Sequence, residues 1–175
     1  MDANSNANDF DFLLGRWKIR HRRLKERLVG CVAWKEFDGT AEMWRLMDGR
    51  ANVDNHVIEL PGGAYQAASL RSFDAISRKW AIWWLDGRTP HHPLDPPVVG
   101  SFERGVGSFY ADVSLNGQPI RIRFLWSDIS ANSCRWEQAF SADSGETWEV
   151  NWIMNYLRLG NSVEGSPAWN PAKSG

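Results

Sequence analysis

Two cysteines, Cys31 and Cys134, are all the thiol chemistry in 175 residues. They are too few and too far apart for a disulfide-stapled scaffold or a cysteine-based zinc module. Charge of one sign is equally scarce. With 20 basic against 21 acidic side chains the net charge is −1, so no broad field exists to gather nucleic acid or an anionic membrane. No apolar run approaches the length that spans a bilayer. The opening Met1-Asp2-Ala3-Asn4-Ser5-Asn6-Ala7-Asn8 has neither the basic start nor the apolar stretch of a secretory signal, and the expectation is a reduced, cytoplasmic protein. Nucleotide-binding Gly-x-Gly-x-x-Gly and phosphate loops are missing, as is a Gly-x-Ser-x-Gly nucleophile elbow. His91 and His92 are adjacent, so on extended chain their side chains diverge, and no third ligand is near. Neither a metal nor a cofactor is expected.

Tryptophan, by contrast, is abundant: 11 residues, ten of them between Trp17 and Trp152. Such an excess implies either a heavily aromatic core or an aromatic-lined cavity. The hydropathy pattern has a period of two. Trp17, Ile19 and His21 alternate with Lys18, Arg20 and Arg22; Ile120, Ile122, Phe124 and Trp126 alternate with Arg121 and Arg123. Phe109 to Leu115, Trp136 to Phe140 and Trp148 to Tyr156 repeat the pattern, while residues 80–85 are apolar on both faces, as in a strand covered on each side. Turn chemistry separates the runs: Asp38-Gly39, Pro61-Gly62-Gly63, Asn116-Gly117 and Asp143-Ser144-Gly145. No crossover helix intervenes, so the strands form a meander, and a long meander buries its edges best by closing on itself.

The expected fold is therefore all-β: an antiparallel up-and-down barrel of roughly eight to eleven strands. It spans residues 9–159, with tails at 1–8 and 160–175. A short helical plug is expected over Asp9-Phe10-Asp11-Phe12-Leu13-Leu14, and the Pro-punctuated segment 87–97 is a candidate lid over a barrel mouth.

Gly15-Arg16-Trp17, directly after the plug, resembles the Gly-x-Trp signature that opens the first strand of lipocalins and related calycin barrels. The wider string from Asp9 to Trp17, the stretch Trp84-Leu85-Asp86-Gly87-Arg88 and residues 136–152 are similar to a family of bacterial lipocalin-like domains without assigned function. The resemblance implies a barrel whose floor is closed by Trp17, with an arginine from the last strand across its ring; Arg158 is the matching residue. It implies a fold and no activity. Secreted lipocalins carry a signal sequence and usually a disulfide, which this chain departs from. Haem-binding nitrobindin-like barrels place a histidine near the chain end, whereas the histidines here are His21, His56, His91 and His92.

Polar residues in phase with the aromatic face are the candidate functional groups. His21 shares parity with Trp17 and would face inward as a ligand partner or proton shuttle, or as a core histidine bonded to a neighbour. Gln138 lies between Trp136 and Phe140, and its amide would orient a ligand or satisfy an adjacent strand. If the assignment slips by one residue, Glu137, Asn151 and Asn155 face inward instead. Arg88, beside Asp86 and the His91-His92 pair, could close over an anionic group or make a surface salt bridge. The expected ligand contacts are His21, Trp34, Trp84, Arg88, Trp126, Trp136, Gln138 and Trp152; His21, Glu36 and Tyr110 are the candidates for acid–base work. The basic run 16–27 reads as a solvated strand face rather than a nucleic-acid surface.

The function this supports is binding of an apolar or aromatic small molecule inside a Trp-lined barrel, with neither nucleic acid nor membrane as partner and a homodimer left open. Two alternatives stand beside it: an enzyme of cyclase, isomerase or decarboxylase type on the same barrel, and a structural module with a solid core.

Overall fold

The period-two pattern becomes ten strands in the computed structural model, which describes residues 6–160. They are β1 (Gly15–Leu24), β2 (Trp34–Leu46), β3 (Ala51–Leu60), β4 (Gly63–Asp74), β5 (Lys79–Asp86), β6 (Val98–Glu103), β7 (Val106–Leu115), β8 (Gln118–Ser127), β9 (Ser133–Ser141) and β10 (Glu149–Gly160). Each pairs antiparallel with the next, and β1 pairs with β10 to close the barrel. The closing register sets Trp17 opposite Arg158, Ile19 opposite Tyr156 and His21 opposite Met154. At Asn116-Gly117 both residues have positive φ, 51° and 82°, the primed geometry that suits a two-residue hairpin on twisted strands. Most of the expected tail residues lie outside the described ones. Asn6 to Asn8, read as tail from composition, instead lead into a turn, and the Trp80 indole donates to the Asn6 carbonyl at 3.1 Å.

No α-helix forms among the described residues, which corrects the expected helical plug. Asp11–Leu13 makes a single 3-10 turn. Its carbonyls are claimed by side chains rather than by a following helical turn: Trp17 Nε1 donates to Leu13 O at 2.6 Å, and Arg158 donates to Leu14 O and Phe12 O, both at 2.6 Å. Arg158 also reaches Ala131 O at 2.7 Å and lies over the Trp17 ring, 4.2 Å from its centre. Buried Phe10 and Leu13 fill this end of the barrel, Phe10 meeting Trp80 and Phe102 edge-on.

Between these ends the core is one aromatic cluster of inward residues from every strand, as alternation dictates. The outer face of β5 is not covered, contrary to the two-faced reading of residues 80–85: Leu85 is 40% exposed and Trp83 half-buried. Pairing is thinnest between β5 and β6, where only Trp80, Ala81 and Ile82 find partners, opposite Gly100, Val99 and Val98. Past Ile82 β5 keeps only its β4 partner, as far as Asp86, before segment 87–97 begins.

Arg158 thus satisfies three carbonyls and stacks on an indole. Replacing it with Ala should destabilise the fold by about 1–3 kcal/mol, because three charge-assisted bonds, two half-buried and one exposed, vanish together with a cation–π contact. Urea denaturation of R158A measures this; a loss under about 0.5 kcal/mol would refute the assigned role.

Candidate functional site

Three tryptophans from three strands line one internal cavity of about 110 Å³: Trp84 on β5, Trp136 on β9 and Trp152 on β10. Ile82, Val113, Ile122, Phe124 and Met154 complete its apolar wall, and Asp95, Pro96 and Val98 border it where β5 and β6 part. The rings form an edge-to-face chain. Phe124 and Trp136 are 4.8 Å apart, Trp136 and Trp152 5.6 Å, Trp152 and Trp84 5.9 Å. Such pairs hold each other by quadrupole complementarity as well as area. Gln138 is the polar member of the wall. Its Nε2 donates to Asn151 Oδ1 at 2.8 Å, and Asn151 is the extra residue of a β-bulge on β10, fully buried. The bulge turns Asn151 inward without flipping Trp152, so residues from both candidate parities meet on one side.

His21 is fully buried, but it serves the wall rather than the cavity. Its Nδ1 accepts a hydrogen bond from Trp152 Nε1 at 3.2 Å, and its ring stacks on Phe37 at 4.8 Å. The close approach requires Gly39: a Cβ there would lie 2.8 Å from His21 Nε2 and 2.7 Å from Val57 O. Burial is the main cause that lowers the His21 pKa to about 3, and the nearby Arg23 guanidinium acts in the same direction. The imidazole is neutral at physiological pH and is an acceptor for Trp152, which argues against the proton-shuttle reading.

The remaining sequence candidates divide by face. Trp126 is buried but sits deeper than the cavity, toward the closed end. Trp34 and Glu36 share the outward parity of β2. Trp34 lies under Arg22, with 5.1 Å from its ring centre to the guanidinium, and exposed Glu36 pairs with Arg20 and Arg22. Tyr110, 36% exposed, faces outward beside Trp148 and Arg121. None of these three reaches the interior. Arg88 is gripped by Asp86, Nη2 to Oδ2 at 2.7 Å, and covers the Tyr65 ring at the rim without lining the cavity. His91 and His92 are exposed. Of the alternative inward set, Asn151 is buried, Glu137 bonds Arg135 and Asn155 is exposed.

A buried polar cluster was missed. Asp54, His56 and Asn52 on β3 and Arg71 on β4 are all 4% exposed or less. Asp54 accepts from Arg71 Nη2 at 2.7 Å, from the Ser69 amide at 2.7 Å and from His56 Nε2 at 3.2 Å, while Arg71 Nη1 donates to Asn52 Oδ1 at 3.1 Å. Burial would raise the Asp54 pKa, but the charges of and hydrogen bonds from His56 and Arg71 outweigh it and hold the carboxyl well below the usual range. The signal in the sequence was Asn52, Asp54 and His56 recurring at period two, in phase with Ile58.

No family model matches this chain, and no curated protein does. Solved structures do. The S-type phycobiliprotein lyase CPES from Guillardia theta is similar over 91% of this chain and 94% of its own, with a TM-score of 0.56 and 6% identity. A redesigned β-barrel is similar over 89% of this chain and 99% of its own, at a TM-score of 0.49 and 6% identity. At 6% identity the likeness to the lyase is one of fold: the chain is a closed ten-stranded antiparallel β-barrel. Among the described residues no helix is long and apolar enough to cross a membrane.

The lowered His21 pKa has a pH consequence. A buried neutral histidine contributes stability that is full above its unfolded pKa, about 6.5, and is lost as pH falls toward about 3. Between pH 7 and pH 5 the wild type should lose about 2 kcal/mol more than His21→Gln, which lacks the titration. Urea midpoints at the two pH values test this. Equal losses in both proteins would exclude the buried neutral state.

Proposed function

We propose that this chain is a lipocalin-like barrel that encloses an apolar or aromatic small molecule among Trp84, Trp136 and Trp152. The observation that carries the reading is the cavity of about 110 Å³ with an almost wholly apolar wall. A side-chain-filled core would leave no such space, since protein interiors pack without voids larger than a water. Size limits the occupant. An apolar cavity of about 150 Å³ accommodates benzene; at about 110 Å³ this one sets one six-membered ring, or an aliphatic group of no greater bulk, as the upper limit. Gln138 adds a polar contact inside the wall, with Asp95 at its border: the Gln138 amide nitrogen is engaged by Asn151, which leaves its carbonyl oxygen to accept from a ligand. The gap between β5 and β6, bordered by Asp95 and Pro96, supports access from the rim opposite the Phe10 end.

Glu36 and Tyr110 lie outside and His21 is held neutral, so none of the acid–base candidates supports a catalytic reading.

Titration calorimetry with toluene should give a dissociation constant of about 1 mM or tighter, with quenching or a shift of tryptophan emission. Val113→Phe, which fills the cavity from its wall, should weaken binding about tenfold or more while leaving the fold intact. The absence of heat and of spectral change for every single-ring ligand tried would overturn the reading.

A further inference from the structure

Deeper in the barrel than the aromatic cavity lies a second space of about 20 Å³, room for one oxygen-sized group. The two spaces share the wall residues Ile82, Trp84, Phe124, Trp136 and Met154, so the smaller one continues the larger toward the closed end. What the smaller one adds is polarity. Beside Ser69 and Tyr156, whose hydroxyl donates to Met154 Sδ, it is lined by His56, Arg71 and Trp126, and each of these three is 2% exposed. Each also carries one polar atom without a partner: His56 Nδ1, Arg71 Nε and Trp126 Nε1. Their other polar atoms are engaged, His56 Nε2 and Arg71 Nη2 by Asp54 and Arg71 Nη1 by Asn52.

The chemistry of these three atoms selects a complement. Asp54 takes the hydrogen on His56 Nε2, and in that tautomer Nδ1 is an acceptor, whereas Arg71 Nε–H and Trp126 Nε1–H are donors. One acceptor beside two donors matches a group that both gives and takes a hydrogen bond. A carbonyl would leave His56 Nδ1 unmet. A carboxylate would do the same and add a negative charge where Arg71 is already balanced by Asp54. A methyl group would satisfy none of them. A hydroxyl satisfies His56 and one donor together. We propose that the inner space recognises the hydroxyl of a phenol-type ligand whose ring occupies the aromatic cavity, a proposal that rests on the ring-binding reading above. The ligand then enters hydroxyl first, and the unpaired polar atoms at the base of the barrel discriminate it from a plain hydrocarbon of the same shape.

The test compares p-cresol, 4-methylanisole and toluene by titration calorimetry against the full chain at pH 8. The expected result is p-cresol binding about tenfold tighter than the other two, the value of one well-made buried hydrogen bond. Trp126→Phe keeps a ring in place and removes one donor. It should weaken p-cresol about five- to tenfold and leave toluene unchanged. Should that variant fail to fold, the ligand series on the wild type decides alone. Equal affinities for all three ligands would overturn hydroxyl recognition and leave ring binding standing. Binding of none would overturn both. A p-cresol complex whose hydroxyl points to the β5–β6 rim, with water alone between His56 and Trp126, would also overturn the proposal.

Discussion

The structure depends on one closure, the pairing of β1 with β10. A meander of ten strands leaves two edges of unpaired amides and carbonyls, and joining them removes both at once. The join is reinforced at the base, where the Arg158 guanidinium binds three carbonyls and covers Trp17. Closure also fixes facing. A slip of one residue at this seam would turn every inward tryptophan of a strand to solvent, so the clamp at Trp17 and Arg158 sets the register on which the interior is built.

That interior has two characters. One side is aromatic, from β5 and β8 through β10; the other, on β3 and β4, is polar and internally balanced. Asp54 receives donors from Arg71, His56 and Ser69, so the carboxylate is satisfied although it is nearly out of contact with water. A charge pair this deep adds little net stability, because desolvation consumes most of the attraction. Its physical effect is to fix polar atoms in place at the base of an apolar cavity, where they remain oriented without solvent.

Much of this was legible in the residues. Alternation and turn chemistry located the strands, and the Trp17–Arg158 contact observed here matches the pairing that the lipocalin resemblance implied. Trp84, Trp136, Trp152 and Gln138, four of the expected ligand contacts, line one cavity. Trp34, Glu36 and Tyr110 were misplaced because an aromatic or acidic side chain on an amphipathic strand does not announce its face, and register across a barrel sets it. His21 faced inward as expected, yet its partner, Trp152, is 131 residues away, beyond the reach of any local pattern. The Asp54, His56 and Arg71 cluster escaped notice on similar grounds. Polar residues at period two look alike on an inward and a solvated face, and only register across the barrel separates them. The helical plug failed because the carbonyls a helix would have needed are bound by Trp17 and Arg158.

The short β5–β6 pairing gives the wall a direction of weakness. Three residue pairs hold this junction, while the neighbouring β4–β5 and β6–β7 junctions are laced along most of their length. Thermal breathing of the barrel concentrates at its least-laced stave, because local opening costs least where the fewest hydrogen bonds must break. That joint borders the tryptophan-walled space, so the least-bonded seam of the barrel and its aromatic cavity lie side by side.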